Sequence, residues 1–297
     1  MSGGAGEEGA QPAPGALLSE MGEAAKTGDP DRFEAALFEE DLALRERFFT
    51  LIAFNLELAR TRLRVTEPHI GLIRLQWWRD AIEEAEAGAP ARAHPLAAPV
   101  SALIAAAPKG FAAEAIRLVD AWERDLDEAP FPSIEALRLH LESTAGRMAR
   151  LGGWLALGAA PEGAADKALS GFGLADGAAR ALEATPALAA AGRSLLPLTG
   201  EVLARHLRGA TTDEAREAAA TLAGVGAAAW REGRSAARRL ERARALALKP
   251  IMLSAWRAPR MLAAAQKPGC DLFRDLGAES PFRRRASLLL RGLFSRW

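Results

Sequence analysis

The chain has no tyrosine, a single cysteine (Cys270) and only four histidines among its 297 residues. One cysteine excludes an internal disulfide framework and any multi-cysteine zinc or iron-sulfur site, and it fits a reducing compartment. His69, His94, His140 and His206 fall on separate segments without HxxxH or HExxH spacing, so a zinc site is not expected. No GxxxxGK[ST] phosphate loop occurs, and the strand contexts a GxGxxG fingerprint requires are missing. No apolar run reaches the roughly 18 residues of a membrane-spanning helix, and the N-terminus lacks the basic start and apolar core of a secretory signal. The expectation is a cytoplasmic protein that can visit the inner face of a membrane peripherally.

Hydrophobic residues make up 49% of the chain, enough for one substantial core. Alanine, leucine and arginine dominate and β-branched residues are few, so local preference favours helix nearly everywhere and the expected class is all-α. Net charge is zero but uneven. From Trp230 onward there are 16 Lys/Arg against 5 Asp/Glu, which makes that part +11 and the remainder −11.

Residues 1–28, rich in Gly, Ala, Pro and Glu, read as a mobile tail. A single domain is expected over 29–297, starting with Asp29 as a cap and Pro30 at the first helical position. A long amphipathic segment follows, with Leu44, Phe48, Leu51, Ile52 and Asn55 at helical steps. Glu67 and Pro68 open another helix that stops at Gly88, and further helices are expected over 163–185, 197–209, 211–246 and 250–266. The end of the chain, about 281–297, reads as a basic amphipathic helix. No 20-to-50-residue repeat occurs, which disfavours a solenoid.

Three features invite chemistry. Asp120, Glu123 and Asp127 lie near one helix face, either as a solvated acidic surface or as a cation site. Trp77 and Trp78 lie between Arg74 and Arg79, either as core packing or as an anion pocket. In the last helix Arg283, Arg284, Arg285 and Arg291 accompany Leu288, Leu289, Leu290, Leu293 and Trp297, so it either meets a membrane or partner surface or docks on the core. These arginines lack aromatic interleaving and any nucleic-acid reader module, so no nucleic acid is expected.

The order and spacing of LIAFNLELART, LIRLQWWRDAI followed by AHP, LHLESTAGRMARLGGWLALG, AGRSLLP, KPGCDLF and SPFRRR resemble the squalene/phytoene synthase family over roughly residues 30–292. The resemblance implies an isoprenoid synthase-type helical bundle around a central cavity. It also implies that active members hold Mg²⁺ through paired aspartates at i and i+4 on two facing helices. A four-residue step turns about 400°, so two such carboxylates share a face and can bridge metals to a diphosphate.

On that alignment Ala59 and Leu63 stand at the first pair, and Ala184 and Leu188 at the second. Glu57 lies on the other side of its helix from Ala59, and Asp176 and Glu183 could together hold one cation at most. Leu195 replaces the tyrosine of the GRxYLP-type element. The Phe54, Asn55, Glu57, Ala59 pattern is similar to the subgroup whose eukaryotic members serve as mitochondrial assembly factors for respiratory complex I, which also lack the paired aspartates.

The resemblance therefore implies a synthase fold kept for a non-catalytic task, with no catalytic residues and no cofactor. Its partners would be respiratory complex subunits, a membrane surface, or a prenyl or lipid ligand. The candidate cavity or anion-binding residues are Asn55, Arg74, Trp77, Trp78, Arg79 and Arg193. The alternative is a prenyltransferase that condenses prenyl diphosphates through a divergent Mg²⁺ site.

Overall fold

The computed structural model describes residues 18–65, 67–277 and 279–294. Among them there is no strand, and the helices run α1 Glu20–Gly28, α2 Pro30–Ala36, α3 Leu42–Ala59, α4 Pro68–Glu86, α5 Ala97–Ala106, α6 Phe111–Ala121, α7 Ile134–Leu141 and α8 Arg147–Leu157, then α9 Ala164–Glu183, α10 Thr185–Ala190, α11 Gly200–Leu207, α12 Asp213–Ala237, α13 Arg242–Ala247, α14 Lys249–Leu253, α15 Ala258–Ala265 and α16 Pro281–Phe294.

Helix α9 forms the centre, with thirteen of its twenty residues buried. Its sequence explains how it can be covered on two sides, because glycine and alanine recur on opposite faces. A Cβ added at Gly171 would stand 2.6 Å from the Ala229 carbonyl oxygen and 2.7 Å from the Gly233 nitrogen, so the α9 and α12 backbones touch there. On the other face a Cβ at Gly173 would stand 2.7 Å from the Gly146 Cα, in the π-helical turn Glu142–Gly146 that joins α7 to α8. The rings of Phe172 and Trp230 meet edge to face at 4.8 Å and lock the α9–α12 pair.

The mobile tail expected through residue 28 is corrected at its end. Ser19 caps α1 by accepting from the Gly22 amide and donates to Glu46 at 2.8 Å, while Met21 and Ala25 enter the core. With so few large apolar residues, its period was invisible in the sequence. Residues 1–17 lie outside the described residues.

Two expected continuous helices are interrupted. Over 211–246 the chain breaks between α12 and α13, and over 250–266 it breaks between α14 and α15. Helix α16 docks on the core through Leu288, which is buried against Ala35, Leu253 and Trp256, and through ion pairs of Arg284 with Asp31 and Arg285 with Glu34. Its other face leaves Phe282, Leu289, Leu290 and Leu293 exposed, so core docking and a surface available for contact coexist in one helix.

Candidate functional site

Four charged side chains close a ring in the middle of the bundle. Asp29 caps α2 by accepting from the Arg32 amide, and its carboxylate takes a second bond from the Arg32 guanidinium at 2.8 Å. Arg32 reaches across to Asp176 on α9 at 2.7 Å. Arg180, one turn further along α9, grips Asp176 at 2.9 Å and returns to Asp29 at 3.1 Å. Each carboxylate thus faces two guanidiniums. Burial alone would raise the Asp29 carboxyl, but Arg180 and Arg32 more than reverse that and hold it at about 2.

The ring separates two chambers. On one side Phe48, Leu51, Ile52, Met148 and Ile251 line an apolar space of about 40 Å³ that ends on Arg32 and Asp176. This is far below the roughly 300–1,000 Å³ of pockets that enclose a sizeable ligand. On the other side a larger pocket of about 230 Å³ has a mostly apolar wall, with Leu141, Leu188 and Leu195, into which Arg32, Arg180, Asn55, Trp122, His140 and Arg193 set polar groups.

Asn55 is 7% exposed, and its Oδ1 has no hydrogen-bond partner among the described residues; neither has the buried indole N–H of Trp122. His140 Nε2 lies 3.1 Å from the Asp125 carboxylate, with its ring against Phe131 and Trp122. The π-turn that follows places Thr144 in the wall, its hydroxyl donating to the His140 carbonyl at 2.8 Å. Arg193 donates to the Asp125 carbonyl at 2.7 Å.

Of the residues expected in a cavity, Asn55 and Arg193 come together here, beside Ala184 and Leu188. Arg74, Trp77, Trp78 and Arg79 do not. Arg74 and Arg64 clamp the buried Glu57 at 2.9 and 2.5 Å, and Arg79 pairs with Asp120 and Glu123. Trp78 is buried against Phe54 and Trp77, and His94 packs on both indoles. An anion pocket at Arg74 and Arg79 is therefore corrected to structural pairing. The acidic face resolves the same way, with Asp127 on Arg124.

The shared helical face that the resemblance implies for Ala59 and Leu63 is also corrected. Helix α3 ends at Ala59, Leu63 sits in the 3₁₀ turn Arg62–Arg64, and it is 69% exposed. The clamp on Glu57 and the approach to Pro68 turn the chain away before a further helical turn can form. Ala184 is the break between α9 and α10, and Leu188 lies in α10, whose first turn holds Pro186.

The residues present do not fit a magnesium cluster. Ala59, Leu63, Ala184 and Leu188, which the resemblance sets at the ligand positions, carry no side-chain oxygen. Asp176 is committed to Arg32 and Arg180, while Glu183 is committed to Arg257 at 2.6 Å, so these two carboxylates do not share a cation. The ring itself was missed from sequence. The i, i+4 pair Asp176 and Arg180 was a visible local signal, but its closure through Asp29 and Arg32 spans about half the chain.

At the C-terminus Arg284 and Arg285 are paired as described above, whereas Arg283 and Arg291 line a separate pocket beside α15. Trp297 lies outside the described residues. No helix among the described residues is long and apolar enough to cross a membrane.

Comparison with known proteins places this geometry in context. Complex I assembly factor 6 of NADH dehydrogenase (ubiquinone) from Rattus norvegicus is 31% identical over 159 residues, which is 52% of this chain and 45% of that protein. The Homo sapiens protein of the same name is 30% identical over 157 residues, with the same coverage. The chain therefore matches less than half the length of these relatives. A dehydrosqualene synthase crystallised with a ligand superimposes with a TM-score of 0.69 over 93% of this chain and 95% of that one, at 14% identity, and the shared architecture is the isoprenoid synthase-type helical bundle. The squalene/phytoene synthase family model matches residues 26–291, and the chain belongs to that family.

Proposed function

We propose that the protein is a squalene/phytoene synthase family member that has given up prenyl transfer and acts as an assembly factor for respiratory complex I. The observation that carries this reading is the ion ring of Asp29, Arg32, Asp176 and Arg180. It commits the central carboxylates to guanidiniums and divides the space a prenyl chain and its diphosphate would need to share. The similarity to complex I assembly factor 6 supplies the direction of the task. No metal is required on this reading, and the protein works in the cytoplasm at the inner face of the membrane, beside its client subunits.

The larger pocket keeps a role as a binding site for an amphipathic, lipid-like ligand, because its wall is mostly apolar while Asn55 Oδ1 and Trp122 Nε1 are left to be satisfied there. Deleting the gene in its host and resolving respiratory complexes on native gels tests the assembly role. Loss of assembled complex I, restored by the wild-type gene, is the expected result. Unchanged complex I with altered isoprenoid content would overturn it and return the reading to prenyl transfer.

A further inference from the structure

Helix α16 and the segment around α15 border a further pocket of about 230 Å³, joined to the ion ring only through the Arg257–Asp31 pair, whose wall holds Arg257, Arg260, Arg283 and Arg291 against one carboxylate, Glu279. Arg257 is already neutralised by Asp31 and Glu183, and Arg260 pairs with Glu279. Arg283 and Arg291 have no carboxylate partner among the described residues. Arg291 is partly buried, and burial together with nearby Arg234 pushes its guanidinium below the ordinary range. Trp256, itself 3% exposed, lines the same pocket with an indole N–H that has no partner among the described residues. A cluster of unmatched cations with an unpartnered buried donor beside it is an arrangement that an anion completes.

The placement around α16 says which kind of anion. At about 100° per residue, Arg283, Ser287 and Arg291 form one row. Leu288 and Gly292 form the row buried on the core. Exposed Phe282, Leu289, Leu290 and Leu293 form the row on the pocket's other flank, with Leu290 next to Arg283 in the helical projection. A basic row bordered by an outward apolar row suits the boundary between headgroups and acyl chains. A soluble phosphate would leave the leucines in water.

We propose that this pocket binds the phosphate of an anionic phospholipid headgroup, with Arg283 and Arg291 as the anion contacts and Leu289, Leu290 and Leu293 against the acyl region. It does not depend on the task assigned to the central cavity.

Flotation of the full chain with phosphatidylcholine vesicles, with and without phosphatidylglycerol, tests it. Binding should require phosphatidylglycerol and weaken about thirtyfold in R283Q/R291Q, since each arginine at an anionic surface contributes about 1 kcal/mol. R205Q/R208Q removes the same charge at the C-terminal end of α11 and should bind as the wild type. L290S/L293S should also bind more weakly, its fold checked by circular dichroism. Absence of vesicle binding overturns the proposal, and so does an equal loss in both arginine pairs or full binding by L290S/L293S. Saturable binding of inorganic phosphate by calorimetry, lost in R283Q/R291Q while vesicles are ignored, would reassign the pocket to free phosphate and equally overturn it.

Discussion

Arg32 and Asp176 meet at 2.7 Å across 144 residues of sequence, each with about a tenth of its side chain exposed. This contact closes the ring and ties α2 to the central helix α9. Arg32→Met or Asp176→Leu leaves an uncompensated buried charge and should cost about 3–5 kcal/mol in urea unfolding. The double variant leaves Asp29 with Arg180 as a self-neutral pair and should cost less than the two single changes added. Additive costs would mean that the four charges do not act as a unit.

Acid should loosen the fold in a defined window. Asp29 titrates at about 2 in the folded protein against 3.8 in the unfolded chain. Its lowered pKa stabilises the fold fully above the unfolded value and is lost as pH falls through the folded one. That is about 2 kcal/mol disappearing between roughly pH 4 and pH 2. Urea titrations across this range should show it, and Asp29→Asn should remove that part of the slope.

Two glycines on the α9–α12 pair should respond with opposite sign. Gly171→Ala forces a methyl against the α12 backbone and should cost about 1–3 kcal/mol. Gly224→Ala, with nothing within 4 Å of the added atom, should gain up to about 1 kcal/mol from helix propensity. Thermal melts of the two variants check the pair.

Restoring acids should not restore a metal site. Leu63 points to solvent on a 3₁₀ turn, so Leu63→Asp should change stability by less than about 0.5 kcal/mol. On the proposed function, the quadruple variant A59D/L63D/A184D/L188D should show no prenyl transferase activity, because its first pair does not share a helical face. Calorimetry with Mg²⁺ and pyrophosphate-release assays of that variant test both halves.

The helical class, the order of the bundle and the burial of Asn55 were legible in the sequence, because apolar period and family-like spacing are local signals. Helix α1 was not, since its buried face is Met21, Gly22 and Ala25 and carries almost no hydrophobic contrast. Nor could the sequence tell that Arg74 faces Glu57 rather than the cavity, because an arginine beside two tryptophans reads alike in either case. The larger pocket was half visible. Asn55 and Arg193 lay on aligned motifs, whereas Trp122 and Asp125 sit on a 3₁₀ turn that leaves no periodic mark, and His140 on α7 meets them only through tertiary packing.

On the proposed function, the ring of Asp29, Arg32, Asp176 and Arg180 stands where metal-assisted chemistry would be needed. Incubating the purified protein with farnesyl or geranylgeranyl diphosphate and Mg²⁺, and following pyrophosphate release, tests it most directly. Release no faster than in buffer alone is expected, and sustained, Mg²⁺-dependent turnover would overturn the proposed function.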